Sequence, residues 1–276
     1  MSEQQPFEPL GMPPRPEPPE AASSPPLSPV TIPAPPETPA PPPRDPFWGY
    51  SDLFLFIGLL LAAALVSLGV ISLIFSLLPT RDQSRVAEAL IAQSLIYVLA
   101  YGALAMLFRM HYGRPFWRSL GWTSLRLPAP VIMLTGATTA IVVAYLGAFI
   151  RTPTTSNRIT ELLENPGTLV WVALFGLTLA PVAEELGFRG LLQPLLIRSL
   201  GPAPGIIAAA IPFGLLHFSE YGNSWRHALL ISLAGAAFGW MRYRTGSTKA
   251  SALMHASYNG LEFVAFIAQQ KELHHT

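Results

Sequence analysis

The chain lacks cysteine altogether and has few charged residues. With no cysteine among its 276 residues, disulfides, thiolate zinc sites and a cysteine nucleophile are all excluded. Charged residues make up only 12% of the chain, whereas a soluble globular protein carries about 25%. Hydrophobic residues account for 51%. This composition is too poor in charge for a surface that faces water, so we infer that lipid covers most of it.

Nothing in the charge distribution points to nucleic acid. Seventeen basic and sixteen acidic residues leave a net charge of +1, and no block of lysine or arginine forms a candidate phosphate-binding face. Residues 1–46 also contain no apolar segment of the kind found in a signal peptide. We therefore expect the lipid bilayer as a partner and no nucleic acid.

Residues 1–46 hold 18 prolines and few large apolar side chains. Such a segment cannot bury enough surface to offset the entropy of ordering it, which predicts a disordered or polyproline-like tail. A solvated tether and a ligand for a proline-recognising partner both stay open. Phe47, Trp48 and Tyr50 follow the tail and are typical of a membrane interface.

Long runs without charge predict the fold class. The stretch 53–80 contains no charged residue, and about 20 apolar residues suffice for one crossing. The pattern predicts an all-α, polytopic transmembrane helical bundle of about seven spans, in the range six to eight. The spans are expected at roughly 53–80, 86–108, 128–150, 168–198, 204–219, 228–243 and 250–268. The fourth is too long for a simple crossing, so we expect it to tilt, to kink near Pro181 or to project beyond the bilayer.

These spans divide the chain into four predicted parts: the tail (1–46), N-terminal transmembrane helices (47–150), a core with polar motifs (165–268) and a C-terminal tail (269–276). Basic residues concentrate in the loops that would be inside if the N-terminus is cytoplasmic. Those loops hold Arg109, Arg114, Arg118, Arg126, Arg198, Arg242, Arg244 and Lys249, against Arg81, Arg85, Arg151, Arg158 and Arg226 outside. The proline-rich tail and the missing targeting signal favour a prokaryotic cell membrane.

Charged residues within the predicted fourth span indicate chemistry. The run PVAEELGFRG places Glu184, Glu185 and Arg189 in an apolar helix, where each charge costs about 2.5–3.5 kcal/mol on insertion scales. Glu185 and Arg189 are four residues apart and share a helix face, so they can pair. Glu184 points about 100° away from Glu185 and is not the natural partner of Arg189.

Two later helices bring further polar groups to membrane depth. FGLLH ends in His217, and HASYN places His255 and Asn259 four apart on one face. Each group alone has a structural explanation: an ion pair, a core histidine, or hydrogen bonds between helices. Because buried polar groups need partners, their occurrence on three helices together favours one shared interior cavity.

The three motifs, EELGFR, FGLLH and HASYN, resemble in order and spacing those of the CAAX-protease and bacteriocin-processing (CPBP, or Abi) family of intramembrane proteases. The resemblance covers about residues 165–268. It implies a membrane-embedded endopeptidase that hydrolyses a peptide bond with a glutamate-activated water. In these terms Glu184 is the general base and His217 helps to hold the water.

The same resemblance implies the remaining roles. His255 and Asn259 donate to the oxyanion, Glu185 and Arg189 hold the helix and tune Glu184, and Phe213 supports the site. A Zn²⁺ or another divalent metal held by Glu184, His217 and His255 is one expectation, in which case Glu185 takes the role of base. A metal-free glutamate mechanism is the other, and the sequence leaves both open.

Two other functions stay open on the sequence alone. A non-catalytic membrane scaffold or bacteriocin-immunity factor could keep the same fold, although a binder has little need of all the motif residues together. A transporter with an ion-coupled site is disfavoured because no internal repeat is evident. The expected substrate is a peptide or protein, either lipidated or unmodified.

Overall fold

The computed structural model describes residues 11, 45–77, 84–153 and 166–273, and all regular secondary structure in these ranges is helical. A π-helical segment, Leu186–Leu192, joins two of the helices. The helices are α1 (Tyr50–Ser76), α2 (Ser84–Tyr112), α3 (Phe116–Ser119), α4 (Ala129–Phe149), α5 (Pro166–Leu177), α6 (Leu179–Glu185), α7 (Gln193–Leu200), α8 (Pro202–Leu216), α9 (Trp225–Thr245) and α10 (Thr248–Leu273). The predicted all-α class is confirmed.

Seven helical stretches lie at the seven predicted positions. Four of them, within the described ranges, are long and apolar enough to cross a membrane: Tyr50–Ser76, Ala87–Tyr112, Ala129–Phe149 and Gly167–Leu200. The apolar helix α8 is shorter, and α9 and α10 are long but less apolar. Large side chains such as Leu65 (76% exposed) and Phe149 (84% exposed) point outward, as expected of a surface that lipid covers.

The fourth span is interrupted close to Pro181, near which the sequence predicts a kink. The helix breaks at Thr178, between α5 and α6, whereas Pro181 lies in the first turn of α6. A proline in a first turn removes an N–H that has no helical partner, so it begins a helix without distorting it. The span therefore consists of α5, α6, the π-helical segment and α7 in succession.

Small residues let the helices of the second half approach one another closely. A Cβ on Gly136 of α4 would lie 2.2 Å from the Met254 carbonyl oxygen of α10, and one on Gly214 of α8 would lie 2.2 Å from the Ala228 carbonyl oxygen of α9. Such contacts are typical of helix packing in membranes, where small residues bring backbones together. They bring α4 against α10, and α8 against α9.

The residues that precede α1 are part of the bundle. Trp48 is buried, and its indole N–H donates to the Leu191 carbonyl in the π-helical segment at 3.1 Å. Arg198 of α7 donates to the carbonyls of Pro46 and Trp48 at 2.7 and 3.2 Å. Trp48 thus fills the interior, where the sequence suggested only a position at the membrane interface.

Two predicted parts lie wholly or partly outside the described residues. Of the tail 1–46, the structure describes only Gly11, Asp45 and Pro46. At the other end α10 runs on to Leu273, into the part predicted as a C-terminal tail (269–276), and residues 274–276 are outside the described ranges.

Candidate active site within the helical bundle

The charged centre of the site is the pair formed by Glu185 and Arg189. Arg189 Nη1 donates to Glu185 Oε1 at 2.9 Å, and the two side chains are 0% and 1% exposed. Arg189 Nη2 donates to the Gly235 carbonyl of α9 at 2.7 Å. Because each charge is neutralised and hydrogen-bonded, the pair meets the conditions under which buried ions are tolerated. The predicted i, i+4 contact is confirmed.

Aromatic rings enclose this pair. The Arg189 guanidinium lies 4.3 Å from the ring centre of Phe213 and 5.5 Å from that of Phe238. The His255 ring stacks on Phe238, with centroids 4.6 Å apart, and meets the edge of Phe213 at 5.7 Å. The rings exclude water and strengthen the electrostatic interactions between the enclosed groups. Phe213, predicted as a supporting residue, thus contacts both Arg189 and His255.

His255 links the two adjacent glutamates. Its Nδ1 lies 3.1 Å from Glu185 Oε1, and its Nε2 lies 3.9 Å from Glu184 Oε2. Glu185 has no exposed surface, whereas the Glu184 side chain is 23% exposed. The two carboxylates therefore have different environments. Glu185 is hydrogen-bonded inside the bundle, and Glu184 is partly exposed at its surface.

His217 is oriented by the backbone of its own helix. It directly follows α8, and its Nδ1 donates to the Phe213 carbonyl at 2.9 Å. Its ring centre lies 5.2 Å from that of Phe213, on which His255 also packs. Since Nδ1 is the donor, Nε2 carries the lone pair in the neutral ring. Arg189 of the π-helical segment, His217 after α8 and His255 of α10 thus meet around Phe213.

Glu220, in the loop between α8 and α9, is a carboxylate near this site that the sequence analysis did not single out. Burial raises the pKa of Glu220, the nearby charge of Glu184 raises it further, and His217 opposes the rise. The position three residues after His217 is the only local signal that could have indicated it.

Asn259 is engaged elsewhere along α10. Its side-chain nitrogen donates to the Gly176 carbonyl of α5 at 2.9 Å. That carbonyl lies close to the break at Thr178, so Asn259 ties the last helix to the end of α5. The second hydrogen of the same amide is not needed for this bond.

Ser251 belongs to the site although no motif includes it. Its hydroxyl lies 2.5 Å from Glu185 Oε2 and 3.0 Å from the Phe238 carbonyl. With Arg189 and His255 it completes the partners of the Glu185 carboxylate. Ser251 precedes His255 by four residues, one helical turn, and that spacing was the available signal.

Two glycines of α9 give the polar side chains of the motif helix access to backbone carbonyls. Arg189 donates to Gly235, and Gln193 donates to Gly239 at 3.0 Å. A Cβ on Gly235 would lie 2.9 Å from Arg189 Nη2, and one on Gly239 would lie 2.6 Å from Gln193 Oε1. Glycine is thus the residue that leaves room for these hydrogen bonds.

The arrangement does not form a ready metal site. Across the described residues, no three His, Cys, Asp or Glu side chains are grouped closely enough to hold a metal ion. Zinc needs ligand atoms about 2.0–2.2 Å from a common centre, and Glu184, His217 and His255 are not arranged in this way. The zinc site expected from the sequence stays a prediction.

Comparison with known proteins identifies the region that contains the site. Residues 166–261, roughly a third of the chain, match the family model described as type II CAAX prenyl endopeptidase Rce1-like. This region is Rce1-like. The match confirms the resemblance inferred from the three motifs, and the Rce1-like region contains all of them. Neither a curated protein nor a solved structure matches the chain.

The Rce1-like region comprises α5 to α9 and the first half of α10. Helices α1, α2 and α4 lie before it and form the rest of the bundle. Together with the apolar spans, the match supports an integral membrane protein with a region similar to CAAX prenyl endopeptidases.

Proposed function

We propose that this protein is a membrane-embedded endopeptidase resembling CAAX prenyl proteases, in which Glu184 activates water. The supporting observation is the contrast between two adjacent carboxylates. Glu185 is fully buried and contacts Arg189, Ser251 and His255, whereas Glu184 is 23% exposed and has His255 Nε2 3.9 Å away. A general base must reach water, and of these two carboxylates Glu184 is the one with exposed surface.

In the proposed reaction Glu184 takes a proton from a water molecule while the water oxygen attacks the peptide carbonyl carbon. The tetrahedral intermediate then collapses, the carbon–nitrogen bond breaks, and the proton on Glu184 passes to the leaving amine. His217 fits the role of holding the water, because its Nδ1 is occupied and its Nε2 can accept a hydrogen bond.

The oxyanion is assigned to His255 and Asn259, as the resemblance implies. Since His255 Nδ1 faces the Glu185 carboxylate, its Nε2 donates to an oxyanion only when the ring is an imidazolium. Asn259 would use the amide hydrogen that is not directed at Gly176. Preorganised donors of this kind are worth about 10²–10³-fold in rate each.

The decisive experiment compares membrane-associated peptides from cells that carry wild-type protein, Glu184→Gln or Glu88→Gln. Glutamine keeps the size of the side chain and removes the base, so we expect the product of processing to fall by about 10²-fold or more with Glu184→Gln. Glu88 lies in α2 and contacts Ser72, which makes Glu88→Gln a matched control with normal processing. Normal processing by Glu184→Gln would refute the hydrolytic role and favour a scaffold.

Substrate class and metal dependence need purified protein. A synthetic CAAX peptide with and without a farnesyl group, presented in vesicles, separates a lipid-dependent protease from a general one. Metal content, and activity before and after chelation, separate a zinc mechanism from a metal-free one. Retained activity after complete removal of metal would contradict the zinc prediction.

A further inference from the structure

Tyr101 of α2 interrupts the helix that carries the two glutamates. Its hydroxyl donates to the Ala183 carbonyl, to which the Gly187 N–H would donate in an uninterrupted α-helix. The Gly187 backbone lies beside the same hydroxyl, because a Cβ on Gly187 would be 2.9 Å from its oxygen. The hydroxyl thus lies between a carbonyl and an amide that would otherwise pair, an insertion known to bend or open helices.

The interruption coincides with a change of helix type. The α-helical turn ends at Glu185, and the π-helical segment begins at Leu186. A π-helix pairs residues five apart instead of four, and such segments are frequent at functional sites. The change of helix type alters the directions in which side chains before Leu186 point relative to those after it. It therefore affects the orientation of Glu184 and Glu185 relative to Arg189.

Gly187 permits the insertion. A Cβ at this position would lie 2.9 Å from the Tyr101 hydroxyl oxygen, and no other atom would lie within 4 Å. The Tyr101 ring is held by its neighbours in the first half of the bundle, with Phe56 at 5.2 Å and Phe116 at 6.3 Å between ring centres. The packed Tyr101 ring therefore places its hydroxyl against the backbone at Gly187, where a larger side chain would obstruct it.

We propose that Tyr101 is a positioning residue for Glu184: its hydroxyl, inserted between Ala183 and Gly187, holds the helix in the form that turns Glu184 towards His255. This inference rests on the proposed function of Glu184. It also gives α2, which precedes the Rce1-like region, a direct part in the site. Tyr101 acts through the backbone, since its hydroxyl donates to the main-chain carbonyl of Ala183.

The first test is Tyr101→Phe, with Tyr145→Phe as control because Tyr145 is 75% exposed on α4. Without the hydroxyl, Ala183 and Gly187 can pair directly and Glu184 turns away. We expect kcat for the cleaved peptide to fall about 10–100-fold, the effect of a misplacement of about 1 Å, with KM changed less than about twofold. A purely structural role would instead lower Tm and leave kcat per folded molecule unchanged.

The second test is a double-mutant cycle with Gly187→Ala. Alanine alone would push against the hydroxyl, so we expect a kcat loss of at least about tenfold. In the Tyr101→Phe background the same alanine meets no oxygen, so adding it should change kcat less than about twofold. Gly102→Ala is the matched control, because a Cβ on Gly102 of α2 would meet nothing within 4 Å. If the kcat of the double variant equals the product of the two single effects, the two residues are not coupled and the proposal is overturned.

The experiments distinguish failure of the positioning role of Tyr101 from failure of the proposed function of Glu184. If Glu184→Gln is inactive and Tyr101→Phe keeps wild-type kcat, the positioning role is overturned while the proposed function stands. If Glu184→Gln processes normally, the proposed function is overturned and the positioning role with it. Hydrogen exchange at the Gly187 amide adds a readout without substrate: slower exchange in Tyr101→Phe supports helix closure, and unchanged exchange contradicts it.

Discussion

Replacing Glu185 by alanine tests whether the two adjacent glutamates have separate roles. The Arg189 guanidinium would remain 1% exposed without its carboxylate, and Ser251 and His255 would lose the same acceptor. Breaking a buried ion pair from one side costs about 3–5 kcal/mol. For a chain of this size, 1 kcal/mol corresponds to about 2–4 °C in Tm, so we expect Tm to fall by roughly 6–20 °C.

Glu184→Ala is the matched comparison. Its side chain is 23% exposed, and its one ion-pair contact is His255 Nε2 at 3.9 Å. Partly exposed contacts of this kind contribute up to about 1 kcal/mol, so its Tm should fall by no more than about 4 °C. Replacing Glu185 and Arg189 together by leucine should recover part of the loss, because no unpaired charge remains.

The assay is thermal unfolding of purified protein in one detergent at one scan rate, followed by tryptophan fluorescence. The control is Glu88→Ala, a carboxylate of α2 that contacts Ser72. If Glu184→Ala and Glu185→Ala lowered Tm equally, the assignment of a buried structural carboxylate and a reachable reactive one would be wrong.

Two further predictions concern neighbouring contacts. Gly235→Ala should have a clearly lower Tm than Gly102→Ala, because overpacking of a core costs about 1–3 kcal/mol. The new Cβ would lie 2.9 Å from Arg189 Nη2 and 2.8 Å from the Phe213 ring. Equal Tm values for the two variants would contradict this. Trp48→Phe should lower the free energy of unfolding by about 1–3 kcal/mol, because the Leu191 carbonyl loses its indole donor. Chemical denaturation measures this change, with Trp171→Phe, at an exposed position of α5, as the control. Equal stability of the two variants would show that the bond contributes nothing.

Much of the fold could be predicted because its signals are local. Uncharged apolar runs predict the helices, and the spacing of four between Glu185 and Arg189 predicts their contact. The three motifs predicted a resemblance to CAAX proteases, which the match over residues 166–261 confirms for that region. The roles of Glu184, His217, His255 and Asn259, the metal, the substrate and the orientation stay predictions.

The remaining features depend on contacts between residues far apart in the chain. Ser251 reaches Glu185 across 66 positions, Tyr101 reaches Ala183 across 82, and Trp48 reaches Leu191 across 143. No periodicity in the sequence reports such partners. The change to a π-helix at Leu186 was equally hidden, and it occurs where a hydroxyl from another helix contacts the Ala183 carbonyl.

The attachment of Trp48 and Arg198 has a mechanical consequence. Any pull on the chain ahead of Asp45 is resisted first by the hydrogen bonds to Leu191 and from Arg198, and only then by α1. Tension would therefore reach the helix of the paired glutamates directly, a few residues beyond Arg189. A protein that bound the chain ahead of Asp45 and pulled on it would therefore exert force on that helix.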